Sequence, residues 1–213
     1  MTVKLISYSQ GEKDESLQDI IAYTARVSNP SNQDNTETSE RLLRYLIREK
    51  HWSPFEMVSA CLEVTTTRDI ARQLLRHRSF SFQEFSQRYA DPTKDLKFEL
   101  RNARLQDTKN RQNSISTDDK ELQLWWDMQQ KHVAEVAKVI YENAIEKGIA
   151  KEQARKVLPE GITKTRLYMN GTIRSWVHYI ELRSANGTQK EHMDIAIACA
   201  KAISEIFPLM NDL

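Results

Sequence analysis

Cysteine is scarce in this chain, and the two residues present show no metal-ligand spacing. Cys61 and Cys199 are far apart in the sequence, and no other cysteine stands at the short intervals that zinc sites use. The five histidines form no such spacing either. We therefore predict no metal site, and we expect both cysteines to be small core residues, Cys61 on a strand and Cys199 on a helix.

The chain also lacks an excess of either charge and any long apolar run. Its 31 basic and 30 acidic side chains leave a net charge of +1, whereas proteins that bind nucleic acid or membrane surfaces normally carry a marked basic excess. No apolar run is long enough to span a bilayer, and the residues after Met1 show no signal-peptide pattern. These features predict a cytoplasmic protein that binds neither nucleic acid nor membranes, and the length predicts one domain over residues 1–213.

The apolar periodicity predicts an α+β fold, in which helices dominate around a mixed central sheet. Alternating residues predict strands at residues 3–8, 57–67 and 163–170. Helical spacing predicts helices at residues 16–25, 42–51, 68–78, 118–147, 151–158, 172–182 and 188–207. The polar residues 28–36 and 91–116 are predicted to be loops.

Side-chain patterns add three details to this outline. In the longest predicted helix, one apolar stripe is expected to be buried: Trp125, Met128, His132, Val136, Val139 and Ile140. Thr66 with Asp69, and Thr188 with Glu191, have the spacing of residues that cap helix N-termini.

Residues 76–89 combine charged, hydroxyl and aromatic side chains in one short segment. Its sequence is Arg-His-Arg-Ser-Phe-Ser-Phe-Gln-Glu-Phe-Ser-Gln-Arg-Tyr. A solvated charge run would not carry four aromatic rings, and a core segment would not carry three guanidinium groups, which are rarely buried without partners. Arginine binds phosphate through two parallel hydrogen bonds, and aromatic faces hold flat rings. This segment therefore predicts a partly buried site for an anionic, planar ligand.

A simpler interpretation is that these arginines stabilise the C-terminal end of the helix predicted at residues 68–78. Positive charge is favoured there because the helix dipole is negative at that end, an effect of about 0.3–1 kcal/mol per charge. The dipole accounts for the position of Arg76 and Arg78. It leaves Arg88 and the interleaved hydroxyl and aromatic residues unexplained.

The order of residues in this segment resembles the signature of the flavin-dependent thymidylate synthases. That signature reads Arg-His-Arg-x-x-Ser-x-Asn-x-x-Ser-x-Arg-Tyr, where x is any residue and the Asn is frequent but not fixed. Gln83 stands where the family often has Asn, and the other fixed positions match. Further family motifs follow in family order: His-x-Ser-Pro-Phe-Glu at residues 51–56, Ala-Arg-x-x-Leu-Pro at 154–159, and a helix ending in Leu-Arg at 174–183.

The resemblance implies a flavoprotein of nucleotide biosynthesis. The family methylates C5 of deoxyuridine monophosphate (dUMP), with 5,10-methylenetetrahydrofolate as carbon donor, FAD and NADPH as reductants, and no cysteine adduct. It implies FAD contacts for Ser53, Arg76, His77, Arg78, Glu84, Thr172, Arg174 and His178. Thr172 stands where many members carry Asn, and His51 is expected on the folate or flavin side of the site.

The same resemblance places the nucleotide against a second set of residues, several of them shared with the flavin. The set consists of Gln73, Arg76, Glu84, Phe85, Ser86, Gln87, Arg88, Arg155 and Arg183. Arg183 is the predicted catalytic residue, because a guanidinium stays protonated and stabilises negative charge developing on the uracil ring. Its alternative role is to cap the preceding helix. Family members are homotetramers with sites shared between subunits, and the same assembly is expected here.

Two other functions compete with this interpretation. One is a nucleic-acid-binding regulator, in which Arg72, Arg76, Arg78 and Arg88 contact phosphates while phenylalanines stack on bases. The near-neutral charge opposes it, as does the absence of a helix-turn-helix or RNP-type signature. The other is a family relative that binds nucleotide but has lost activity.

Overall fold

A four-stranded antiparallel sheet lies at the centre of the computed structural model, which describes residues 1–212. Its strands are β1 (Thr2–Tyr8), β2 (Ser59–Thr67), β3 (Ser81–Glu84) and β6 (Lys164–Thr172), in the order β1-β2-β6-β3. A separate hairpin pairs β4 (Arg104–Gln106) with β5 (Ser114–Ser116). The predicted α+β class is confirmed, with strands and helices mixed along the chain.

The helices fall before, between and after these strands. They are α1 (Leu17–Ala25), α2 (Ser39–Arg48), α3 (Arg68–Leu74), α4 (Pro92–Asp95), α5 (Lys120–Glu146), α6 (Lys151–Ala154), α7 (Ile173–Ser184) and α8 (Lys190–Ser204). Short 3-10 helices occupy Pro30–Asn32, Ser53–Glu56, Arg155–Val157 and Pro208–Asp212. Among residues 1–212, no helix combines the length and the apolar character needed to cross a bilayer.

The sheet corrects one part of the predicted fold class. Its three pairings are all antiparallel, so the prediction of a mixed sheet was wrong. Alternation along β2 turns Leu62 and Val64 toward the core and leaves Cys61 half-buried on the opposite face. The prediction of a core position therefore holds for Cys199, which is fully buried on α8, and fails for Cys61.

The main core lies between one face of this sheet and the helices α1, α2, α7 and α8. Trp176 on α7 is completely buried, and its indole nitrogen donates to the carbonyl oxygen of Ala60 at 3.0 Å. An unpaired buried N–H would cost about 1–3 kcal/mol. This bond therefore ties α7, which carries several predicted site residues, to the central strand β2.

The helix α3 ends at Leu74, four residues earlier than predicted. The ring of Phe80 is buried and packs edge-on against Trp176, with ring centroids 4.7 Å apart. The chain has to leave the helix to bring Phe80 to this position, so Arg76, His77 and Arg78 lie in the turn that follows α3. The predicted Thr66–Asp69 cap is also wrong, because Thr67 is the N-cap residue and its side chain makes no capping bond.

The longest helix, α5, departs most from the sequence prediction. The stripe predicted to be buried is exposed, and the buried residues of α5 are Gln130, Ala137 and Tyr141. Gln130 accepts from the backbone N–H of Arg101 at 2.9 Å and donates to its carbonyl at 2.8 Å. The periodicity marks an apolar face of α5 correctly, but residues 1–212 leave that face uncovered. The exposed stripe is Trp125, Met128, His132, Val136, Val139 and Ile140.

Candidate active site

The C-terminal turn of α7 brings Arg183 against His77, the middle residue of the Arg-His-Arg triplet. Arg183 Nε donates to His77 Nε2 at 3.0 Å. Because Nε2 accepts this bond, the His77 ring is neutral, and burial together with the Arg183 charge lowers the pKa of His77. Tyr179, one turn earlier on α7, packs edge-on against His77 with centroids 4.9 Å apart.

Gln73 at the end of α3 belongs to the same group through contacts with the start of α8. Its Oε1 lies 3.1 Å from His192 Nδ1, and its Nε2 donates to Gln189 Oε1 at 2.7 Å. His192 is fully buried, and its ring lies 6.0 Å from that of His77. Sequence reasoning missed Gln189, the N-cap of α8, and His192 in its first turn, because a polar residue at the start of an amphipathic helix normally faces solvent.

A second group surrounds the N-terminal turn of α7 and the 3-10 helix Ser53–Glu56. Arg174 Nη1 donates to Glu56 Oε1, while the Nε of Arg174 is buried without a partner among residues 1–212. His178, one turn further along, contacts Trp52 edge-on with ring centroids 4.8 Å apart. Ser53 on this 3-10 helix is exposed.

Two further predicted residues adjoin this second group. Thr172 is the N-cap of α7, and its Oγ1 accepts from the backbone N–H of Ser175 at 3.2 Å. This bond gives Thr172 a structural role, whatever else it binds. His51 is exposed just before Ser53, and its ring lies 6.2 Å from that of Tyr45.

Glu84, predicted to contact both ligands, lies within a network of arginines at the end of β3. Its Oε1 accepts from Thr165 Oγ1 at 2.9 Å and pairs with Arg68 at 3.5 Å, and its Oε2 lies 3.8 Å from Arg72. Arg68 is buried and also pairs with Glu160 at 3.0 Å. Sequence reasoning missed Arg68, although its spacing of four residues from Arg72 places both on one face of α3.

The third group joins the segment after β3 to α6 and the 3-10 helix that begins with Arg155. Arg88 Nε lies 3.4 Å from Glu152 Oε2, three residues before Arg155. Phe85 and Ser86 are half-buried, and Gln87 is buried with an Nε2 that has no partner among residues 1–212.

Several backbone amides of residues 85–90 already have acceptors within the described part of the chain. The Phe85 N–H donates to Arg166 at 2.8 Å, and those of Tyr89 and Ala90 both donate to the Ser86 carbonyl at 3.1 Å. These amides are therefore already used within the subunit.

The predicted residues thus form three groups and the separate Glu84 network, not one cluster. Ser175 Oγ donates to the Ser79 carbonyl at 3.3 Å, which connects α7 to the turn that carries Arg78. Within residues 1–212, no hydrogen bond or ion pair joins the Arg88 group to the Arg183 group. Arg76 and Arg78 are exposed, and the described residues offer neither an ion pair. Among these residues, no set of three or more His, Cys, Asp or Glu side chains has the arrangement of a metal site.

Taken together, the fold and these arginine-rich groups define an α+β protein equipped to bind phosphate-bearing ligands. A family model described as thymidylate synthase complementing protein matches residues 4–209. The chain is 51% identical over 210 residues to a probable flavin-dependent thymidylate synthase of Paramecium bursaria Chlorella virus 1, covering 98% of this chain and 96% of that protein. It is 50% identical over 213 residues to a flavin-dependent thymidylate synthase of Synechocystis sp., with the same coverage.

The chain therefore belongs to the family of flavin-dependent thymidylate synthases, as its motifs predicted. The fold matches the crystal structure of a UMP/dUMP methylase, PolB from Streptomyces cacaoi, bound with 5-Br dUMP. The TM-score of this match is 0.80, with 26% sequence identity, and it covers 99% of this chain and 93% of that one.

Proposed function

We propose that this protein converts dUMP to thymidylate, with FAD as cofactor, 5,10-methylenetetrahydrofolate as carbon donor and NADPH as reductant. The observation that carries the proposal is the identity of 50–51% to flavin-dependent thymidylate synthases over 98% of the chain. The similarity to a methylase bound with 5-Br dUMP supports dUMP as the substrate.

The residues present fit a flavin dinucleotide. The two guanidinium groups of Arg76 and Arg78 are exposed and have no ion pair within residues 1–212, so both are available for phosphate oxygens. The buried Nε of Arg174 lacks an acceptor, which a bound ligand would supply. When bound, the flavin supplies the redox chemistry, while the protein supplies position and electrostatics. The residues that would hold it are Ser53, Arg76, His77, Arg78, Glu84, Thr172, Arg174 and His178, with His51 on the folate or flavin side.

Arg183 is the proposed catalytic residue. Its Nε is occupied by His77, whereas its two terminal nitrogens have no partner among residues 1–212. Because His77 is neutral, it does not compete for the negative charge that develops on the uracil ring. The fixed guanidinium stabilises that charge, and Gln73, Arg76, Glu84, Phe85, Ser86, Gln87, Arg88 and Arg155 bind the rest of the nucleotide.

The assembly is proposed to be a homotetramer whose sites combine groups from different subunits. Two observations support it: the separation of the Arg88 group from the Arg183 group, and the exposed apolar face of α5. Monomeric proteins seldom expose such a patch over a 27-residue helix. Joining subunits there would cover the patch. The single domain over residues 1–213 and the cytoplasmic location stay predictions.

Ion pairs within residues 1–212 oppose the nucleic-acid-binding alternative. It requires four free arginines, but Arg72 already pairs with Glu84 and Glu160, and Arg88 pairs with Glu152. Purified enzyme should be yellow from bound flavin, whereas a regulator would be colourless and bind DNA or RNA in a salt-sensitive manner.

Tritium release from 5-tritiated dUMP tests the function and the role of Arg183 together. With FAD, NADPH and methylenetetrahydrofolate, wild type should release tritium. Arg183→Ala should lower kcat by about 10²–10³, the usual cost of removing one group that stabilises a developing anion. Arg183→Lys should lie between them, because lysine keeps the charge and loses the planar fork.

Arg41→Ala is the matched control, because Arg41 is an exposed arginine on α2 outside all three groups. It should leave the rate unchanged. A wild-type protein that is folded and flavin-loaded yet releases no tritium would overturn the enzymatic function and identify an inactive relative. Full activity of Arg183→Ala would remove Arg183 from the mechanism.

A further inference from the structure

A buried ion pair joins the β4–β5 hairpin to the start of α8. Arg104 Nη2 donates to Glu191 Oε1 at 2.6 Å, and the two side chains are only 17% and 10% exposed. Burial opposes ionisation of the carboxyl, but the hydrogen bonds from Arg104, the backbone and Gln189 outweigh it and lower the pKa of Glu191. Glu191 is therefore ionised, and an ionised carboxylate can only accept hydrogen bonds.

The ionised Glu191 fixes the orientation of two amides in succession. Gln189 must turn its nitrogen toward the carboxylate, and its Nε2 does donate to Glu191 Oε2 at 3.1 Å. Its oxygen then faces Gln73, which must present a nitrogen, and Gln73 Nε2 donates to that oxygen at 2.7 Å. Rotating either amide by half a turn would set two donors or two acceptors against each other.

The same reasoning fixes the tautomer of His192. The oxygen of Gln73 lies 3.1 Å from His192 Nδ1, so Nδ1 must carry the proton and Nε2 must be an acceptor. That Nε2 is buried without a partner among residues 1–212, as is the Tyr179 hydroxyl on the neighbouring ring, whose centroid is 5.8 Å away. From donor to acceptor, the hydrogen bonds thus run from His192, beside the His77–Arg183 pair, through Gln73 and Gln189 to Glu191. Arg104 donates to the same carboxylate from the other side.

We propose that Arg104, Glu191, Gln189 and His192 are positioning residues that hold the Gln73 amide in one orientation for binding dUMP. The inference rests on the proposed function, in which Gln73 contacts the nucleotide. Gln73 keeps one N–H and one lone pair beyond those used in the chain. Fixing the amide presents this donor and this acceptor to the ligand at defined places, and it avoids the entropic cost of ordering a free glutamine on binding.

A purely structural role is the alternative that the test must exclude. The Arg104–Glu191 pair joins the hairpin to α8, so breaking it lowers stability whether or not Gln73 is involved. A double-mutant cycle separates the two roles, because residues that act through Gln73 lose their effect once Gln73 is gone.

The experiment measures the dUMP dissociation constant of flavin-loaded protein by calorimetry, alongside the melting temperature. Glu191→Gln keeps the shape of the side chain and removes the charge that orients Gln189. It should weaken dUMP binding about tenfold, and in a Gln73→Ala background the same change should alter binding by less than about twofold. Gln189→Ala should weaken dUMP binding in the same way, and it leaves the Arg104–Glu191 ion pair in place.

The matched control is Asp194→Asn, which breaks the exposed Lys190–Asp194 pair on the same helix. It should leave dUMP binding unchanged. Equal weakening by Glu191→Gln with and without Gln73 would overturn the positioning role, and so would unchanged binding in Gln189→Ala. Wild-type protein that binds no dUMP would instead refute the proposed function, so the two failures are distinguishable. If Glu191→Gln fails to fold, the question is decided by measuring dUMP binding of Gln189→Ala with and without Gln73→Ala. Gln189 is exposed, so its replacement should not prevent folding.

Discussion

Arg183 uses one of its three guanidinium nitrogens inside the subunit. The bond from Nε to His77 restricts the plane of the guanidinium, and the two terminal nitrogens have no partner in residues 1–212. A lysine cannot divide its functions in this way, because all of its donors lie on one nitrogen. The sequence identified Arg183, His77 and Gln73 through the family motifs, and their proximity in the structure agrees with a shared site.

His192 makes the stability of the protein depend on pH. Burial, with the charge of Arg183 adding to it, lowers the pKa of His192 to about 4 from an ordinary value of 6.5. The unfolded chain therefore binds a proton between these values that the folded chain excludes. The stability that neutral His192 contributes is fully present above pH 6.5 and is lost as the pH drops toward 4.

Replacing His192 by leucine should flatten this dependence, because leucine does not titrate. The free energy of unfolding, measured in urea at pH 7.5 and pH 5, should differ less in His192→Leu than in wild type. The control Ile195→Val, at a buried position on the same helix, should lower stability equally at both pH values. An unchanged pH dependence in His192→Leu would assign the effect to other groups, including His77, whose pKa is also lowered.

At the scale of elements, the turn after α3 depends on a glycine in β6. A Cβ atom on Gly171 would lie 2.4 Å from the ring of Phe80, which is closer than such atoms approach. Phe80 follows the Arg-His-Arg triplet, so displacing its ring displaces the turn as well. Gly171 thus allows the packing that sets the positions of Arg76 and Arg78.

Substituting Gly171 by alanine should therefore affect both stability and flavin content. We expect Gly171→Ala to cost about 1–3 kcal/mol of unfolding free energy through overpacking, and to lower the ratio of bound flavin to protein measured by absorbance. Gly161→Ala is the control, because no atom lies within 4 Å of a Cβ at that position. Normal flavin content in Gly171→Ala would show that the turn tolerates a shifted Phe80.

The sequence predicts elements well where local periodicity decides them, and less well where packing does. The spans of β2, β6, α1 and α7 follow from alternation or helical spacing. The early end of α3 does not, because Phe80 leaves the helix to reach Trp176, which is 96 residues away in the chain. Glu191 was assigned to a cap on α8, but Gln189 is the N-cap residue and Glu191 pairs with Arg104.

Strands and helices also occur where the sequence predicted only loop. The polar residues 91–116 contain α4 and the β4–β5 hairpin, whose Arg104 reaches α8. Each strand of the hairpin is three residues long with one apolar residue, Leu105 or Ile115, so the alternation is too short to differ from the pattern of a loop. Arg104 was missed in the sequence for the same reason.

At the scale of the whole molecule, the exposed face of α5 predicts that subunits associate there. The double change Trp125→Glu and Val136→Asp places charge on this face, where burial would be costly. We expect wild type to elute as a tetramer and the double variant to shift toward the mass of one 24.9 kDa chain, as measured by light scattering after gel filtration. Lys201→Glu, an exposed change on α8, is the control. A double variant that stays tetrameric would place the interface elsewhere.

Sites shared between subunits predict that two inactive variants restore each other. In a mixture of Arg88→Ala and Arg183→Ala subunits, some sites receive an intact Arg88 from one chain and an intact Arg183 from another. After co-expression, tritium release should recover to about a quarter of the wild-type rate, the fraction of such sites in random tetramers. A mixture as inactive as its parents would place both arginines in the site of a single subunit.

The two thiols have a chemical consequence for the whole molecule. Burial raises the pKa of both Cys61 and Cys199, so neither sulfur is anionic at neutral pH. Peroxides and alkylating drugs react with the thiolate form, so both protonated thiols should react slowly with them. The methylation proposed for this protein uses no sulfur nucleophile, so oxidative stress that disables a thiol-dependent enzyme should leave this one working.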